Sequence, residues 1–166
     1  MREYYYDTWI EDGGATVGYR KAGWHRTKQV PAKNAKDLAQ GMEIPSFTQG
    51  PVTRTEIVKY AAASWDFNPV HHDEVFAKQA RSGGIIAHGM MIFAYLGRAA
   101  TDFLGTPNLS KLSARFMNVT RPGDTLTVGG KVESIAGDGA VVLHLWARNQ
   151  KGETVATGIA HALIPS

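Results

Sequence analysis

The sequence predicts an α+β fold in which an antiparallel sheet wraps round one long buried helix. Three observations carry this expectation. Gly89 to Leu104 is almost wholly apolar, and its length, with apolar residues on nearly all sides, argues a buried helix. Beyond it the pattern changes to period two: Leu126, Val128 and Val132, then Val141, Leu143, Leu145 and Ala147, alternate with polar or small residues, the signature of half-buried strands. Finally, 166 residues with 43% hydrophobic and 20% charged is the size and composition of one globular domain.

Taken in order, residues 1–42 read as an N-terminal arm. Tyr4, Tyr5, Tyr6, Trp9 and Trp24 sit among glycines and charges with no sustained period, and the stretch is too short and irregular for a core of its own. It is expected to pack on the domain or on a partner chain, with the domain itself spanning 43–166. Residues 43–49 are a candidate first strand. Thr53-Arg54-Thr55-Glu56 fits a capping box, in which Thr and Glu each satisfy an orphan backbone group, and a helix over 54–65 follows. It must stop near Asn68, because Pro69 disfavours helical geometry before it. Asp73 is placed to cap a short helix through Lys78, which Gly83-Gly84 breaks. The long helix over 89–104 is closed by Gly105 and Pro107. Strands are expected at about 112–119, 124–135, 140–148 and 153–164, separated by Arg121-Pro122-Gly123-Asp124, Gly137-Asp138-Gly139 and Gln150-Lys151-Gly152, as an antiparallel meander.

Composition excludes several classes. No apolar run approaches the roughly 18 residues of a membrane span, and Met1 to Ile10 lacks the apolar stretch of a signal peptide, so a cytoplasmic location and no membrane partner are expected. With no cysteine there is no disulfide framework, thiolate metal site or cysteine nucleophile. Net charge is +3; the basic residues are scattered, the densest group being Arg20, Lys21, His25, Arg26 and Lys28, and no nucleic-acid partner is expected. A modest positive surface also suits a phosphate-bearing substrate such as coenzyme A.

The informative segment is Ser64-Trp65-Asp66-Phe67-Asn68-Pro69-Val70-His71. A helix ends, a proline fixes a turn, and a carboxylate and an imidazole flank it. Such a pair can hold a water and exchange protons with it near neutrality; the plainer reading is a backbone-capping Asp66 and an ordinary hydrogen-bonded His71. Downstream, Ala87-His88-Gly89-Met90 opens the buried helix, whose first amides lack internal partners and carry the positive end of its dipole. Gly89 would let an acyl carbonyl approach that backbone, or is simply a glycine at a helix start. His88 alone reads as a structural hydrogen-bonding histidine. His71, His72 and Asp73 are adjacent, so their side chains diverge, and no metal site is expected.

Together, Asp66-x-Asn68-Pro69-x-His71, Ala77, Ile86-Ala87-His88-Gly89-Met90 and Arg121-Pro122-Gly123-Asp124-Thr125-Leu126 resemble the MaoC-like hydratase/dehydratase family, the (R)-specific enoyl-CoA hydratases of the hot-dog fold, over roughly residues 43–164. The resemblance implies a hot-dog sheet around the 89–104 helix and reversible hydration of a trans-2-enoyl thioester to an (R)-3-hydroxyacyl thioester. It implies that Asp66 and His71 activate water and that the Gly89 amide polarises the thioester carbonyl. Asn68, which shapes the turn, His88 and Met90 become substrate-binding candidates. It implies no cofactor, an acyl-CoA or acyl-carrier thioester as substrate, and a homodimer or higher even oligomer, or a heterodimer with a related hot-dog chain. Two features depart from the family: the arm is long, and Gly97 stands where some members carry a central-helix serine. The alternatives are a hot-dog thioesterase, disfavoured by the Asp-x-Asn-Pro-x-His turn, and the catalytic subunit of a hetero-oligomeric dehydratase acting on a carrier-bound acyl group.

Overall fold

The alternating segments form a five-stranded antiparallel sheet in the computed structural model, which describes residues 6–9, 18–21, 34–105 and 108–164. Within the first 42 residues, β1 (Tyr6–Trp9) and β2 (Gly18–Lys21) pair antiparallel with Tyr6 opposite Lys21. Strands of four residues are too short to show a period in sequence. Tyr4, Tyr5, Trp24, His25, Arg26 and Lys28 lie outside the described residues, as does Pro107.

The main sheet contains β3 (Glu43–Gln49), β4 (Leu109–Phe116), β5 (Leu126–Ile135), β6 (Ala140–Arg148) and β7 (Thr154–Leu163), in the order β3-β5-β6-β7-β4. The expected meander therefore holds for β5-β6-β7 only. β4 does not pair with its successor; it lies at the far edge against β7, and β3 takes the place beside β5. The connection 117–125, with its Arg-Pro-Gly-Asp turn, is longer than a tight hairpin loop and carries the chain across the sheet. β4 also sits earlier than expected, because Met117 and Asn118 both donate to the Val155 carbonyl, at 2.9 and 3.3 Å, and the one-to-one ladder stops there.

The residues that alternate in sequence face inward. Leu126, Val128, Leu143, Leu145 and Ala147 are completely buried, joined by Val132 and Val141. They close on Ile92, Leu96, Ala99, Ala100, Phe103 and Leu104 of α3 (Gly89–Leu104), the long helix. Gly158 of β7 permits this approach: a Cβ there would stand 3.2 Å from Leu96 Cδ1 and 3.1 Å from the Ser113 carbonyl oxygen. Leu38 joins the same core. A second, smaller cluster of Val52, Ile57, Ala77, Ile85, Ala87 and Met91 seats α1 (Arg54–Ser64) and α2 (Glu74–Gln79) beside the start of α3, where the Asp66–His71 turn lies.

Candidate active site

α1 begins as its capping box requires. Thr53 N–H donates to Glu56 Oε2 at 2.7 Å, and Glu56 N–H donates to Thr53 Oγ1 at 3.1 Å. The helix ends at Trp65, a left-handed residue with φ 59° that is 85% exposed. The turn that follows is braced by its own side chains. Asn68 N–H donates to Asp66 Oδ1 (3.3 Å), Val70 N–H donates to Asn68 Oδ1 (3.1 Å), and His71 N–H donates to the Asn68 carbonyl (3.0 Å). Pro69 opens the 3₁₀ turn Pro69–His71, where its fixed φ and missing N–H do no harm. Asn68 thus binds backbone within the turn, and Asp66 and His71 are held at its two ends.

His71 is buried, and its Nδ1 lies 2.8 Å from the Ile86 carbonyl oxygen. A carbonyl only accepts, so Nδ1 carries the proton and, in the neutral ring, Nε2 presents its lone pair. That Nε2 stands 3.9 Å from Asp66 Oδ2, a carboxylate 52% exposed. A buried base thus faces a solvent-accessible carboxylate. His72, next in the chain, turns elsewhere, with Nε2 3.1 Å from the Phe67 carbonyl oxygen.

His88 completes the group. Only 1% exposed, it donates Nε2–H to the Asp66 backbone carbonyl at 3.0 Å, and its ring stacks on His71 with centroids 3.7 Å apart and planes 24° from parallel. Burial holds its pKa below the usual histidine value; the hydrogen bond to Asp66 opposes that shift, and nearby His71 adds to it. Its Nδ1 is buried with no hydrogen-bond partner among the described residues. The segment carrying it is pinned on both sides, since Ala87 N–H donates to Thr120 O (2.8 Å) and Ile86 N–H to Val70 O (3.4 Å). Tyr60 of α1 packs its ring 5.0 Å from that of His88; burial, and then the Asp66 charge, push its phenol pKa up.

Asp66, His71 and His88 offer donor atoms within 4.8 Å of one another, yet the set does not suit a cation. Ligand lone pairs must converge at about 2.0–2.2 Å, whereas stacked rings keep theirs in two nearly parallel, separated planes, and the His88 nitrogen bonded to the Asp66 carbonyl is an N–H donor. Gly89, the first residue of α3, is exposed, and a Cβ on it would meet the Phe116 ring at 3.3–3.4 Å. Met90, one residue on, is half-exposed. The structure thus gathers Asp66, His71 and His88, sets Gly89 beside them in the chain, and leaves Asn68 bracing the turn.

A family profile described as a MaoC-like domain matches residues 38–144. Among solved structures, the R-hydratase PhaJ1 from Pseudomonas aeruginosa superposes with a TM-score of 0.72 at 27% identity, over 83% of this chain and 87% of that one. The ChsH1–ChsH2 complex from Mycobacterium tuberculosis gives a TM-score of 0.69 at 25% identity, over 76% and 98%. In sequence, fatty acid synthase 2 of Mycosarcoma maydis is 31% identical over 152 residues, 86% of this chain but only 4% of that protein. The chain belongs to the MaoC-like hydratase/dehydratase family and has its hot-dog fold.

Proposed function

We propose that the protein catalyses the reversible hydration of a trans-2-enoyl thioester, on coenzyme A or a carrier protein, to the (R)-3-hydroxyacyl thioester. The observation that carries this reading is the tautomer of His71. With Nδ1–H committed to Ile86, Nε2 is the acceptor, and it faces Asp66 Oδ2 across 3.9 Å. Two groups so spaced can both lie within about 2.8 Å of one water oxygen. Unaided water is a poor nucleophile, and a positioned acid–base group contributes about 10²–10⁴ in rate. The water oxygen bonds to C3, its proton passes to His71 Nε2, and C2 takes a proton from the same pair. Charge that builds on the thioester oxygen meets the Gly89 amide at the positive end of α3. Asn68 holds the turn, and the half-exposed Met90, next to Gly89 in the chain, is the remaining candidate for contact with the acyl group.

Assembly belongs to the same reading. β4 is an edge strand, and Phe116, Met117 and Val119 at its end are exposed, so an even oligomer of this chain, or a pair with a related hot-dog chain, is the working unit. Residues 1–42 are read as an arm on that unit.

The test is turnover of a panel of trans-2-enoyl-CoA thioesters, followed by loss of the conjugated-enone absorbance. Asp66→Asn and His71→Ala should each nearly abolish hydration. Because both act on one water, the double variant should be scarcely worse than either single one. His72→Ala should be mild. If both single variants keep wild-type kcat on a good substrate, the pair is structural and the hydratase reading fails.

A further inference from the structure

We infer that His88 is a positioning residue that fixes the Asp66/His71 pair relative to the opening amide of α3. The inference rests on the hydratase reading above, and its geometry comes from three contacts of one buried ring. Nε2–H donates to the Asp66 carbonyl at 3.0 Å, which fixes the backbone of the carboxylate-bearing residue. The ring face lies against His71 at 3.7 Å, so His88 bounds one face of the His71 imidazole. The backbone of His88 caps α3 and accepts from Met91 N–H at 3.1 Å, which places the neighbouring Gly89 amide. One residue thereby sets the distance between the groups that act on water and the amide at the oxyanion position.

A filler role would leave a different trace. An apolar ring would fill the space without stranding a polar atom, yet Nδ1 of His88 is buried without a partner among the described residues, an arrangement uncommon in native interiors unless something compensates it. Here the compensation is Nε2–H, which donates to the Asp66 carbonyl. The Tyr60 ring lies 5.0 Å from the imidazole and tilted 48° to it, so α1 as well as His71 contributes a ring against His88.

The experiment separates the donor from the ring. His88→Phe keeps a flat ring for the stack and loses the donor. His88→Gln keeps an N–H near the Nε2 position and loses the ring, and His88→Asn is too short to reach Asp66. Each is assayed in the full chain with trans-2-butenoyl-CoA and trans-2-octenoyl-CoA, alongside wild type, Asp66→Asn and His72→Ala, with circular dichroism to check folding. A misplacement of about 1 Å can lower turnover about 10²-fold. The Phe variant should therefore lose kcat on that order with KM little changed, and Gln should recover about tenfold over Asn. If Phe fails to fold, the Gln-over-Asn recovery decides alone. Equal kcat for Gln and Asn, or a folded Phe variant with wild-type kcat, overturns the inference. Loss of activity through KM alone overturns it too, since that marks His88 as a substrate contact. Wild-type turnover in Asp66→Asn, by contrast, counts against the hydratase reading itself.

Discussion

A histidine that stays neutral inside the fold makes stability depend on pH. His88 has a native pKa below the ordinary 6.5 because burial disfavours its charge. Below about 6.5 the unfolded chain takes up a proton at this position while the folded one does not. Stability rises with pH wherever the unfolded state binds more protons, so the contribution of His88 falls as pH drops from 6.5 towards its lower native value. Denaturant titrations between pH 7.5 and 5 should show wild-type stability falling through that window, and His88→Gln should flatten the slope. Parallel slopes for the two proteins would mean that His88 takes up its proton as readily in the fold as in the unfolded chain. This residue also marks how far the sequence could be read at single positions. Asp66 and His71 were legible because one rigid turn connects them and Asn68-Pro69 announces it. The His71–His88 stack joins residues 17 positions apart through the packing of the 83–88 segment, and no local pattern encodes that. Tyr60 was hidden for a related reason, since a tyrosine at an apolar helix position looks the same in sequence whether its ring meets the core or a buried imidazole.

At the scale of elements, helix boundaries were the best-read features because they are fixed by local chemistry. The Thr53 box, Pro69, the Asp73 cap and Gly105 act over a few residues each; α1 and α2 start, and α3 ends, where they direct. α1 depends on its cap more than α3 does. Only Ile57 and Ala61 of its residues are buried, so tertiary packing supplies little, whereas seven residues of α3 are buried. Thr53→Ala removes the acceptor for Glu56 N–H and should lower stability by about 1 kcal/mol, the usual loss for such a cap. Because α1 delivers the chain to Asp66, kcat should fall modestly as well, while the analogous loss of one exposed polar contact on α3, Asp102→Ala at its Arg98 pair, should change neither. Unfolding curves and kcat for the two variants check this, and equal, negligible effects would show that the turn holds itself without α1. Strand order was less legible than strand position. Period two tells which face a residue occupies, but not which neighbour its strand will have, and β4 went to the opposite edge for that reason.

The whole molecule has an exposed flank that bears on its activity. β4 ends the sheet, so one side of its backbone lacks a strand partner among the described residues, a feature natural sheets cover or blunt. Phe116, Met117 and Val119 are exposed at its end, and the Phe116 ring lies directly over Gly89. The apolar flank and the start of α3 are therefore one surface, and a second chain seated along β4 would also roof the candidate site. Stable association of this kind buries about 1,200–2,000 Å² in total, which an edge strand and its exposed apolar end can begin to supply. It follows that assembly and catalysis should be inseparable. Sedimentation should give an even number of chains, and on serial dilution the activity per chain should fall in step with the dissociated fraction, with circular dichroism unchanged at the same concentrations. Added osmolyte, which favours buried surface, should restore both together. A folded monomer that keeps full activity per chain at the lowest concentration would show that each chain encloses its own site, and the exposed end of β4 would then need another explanation.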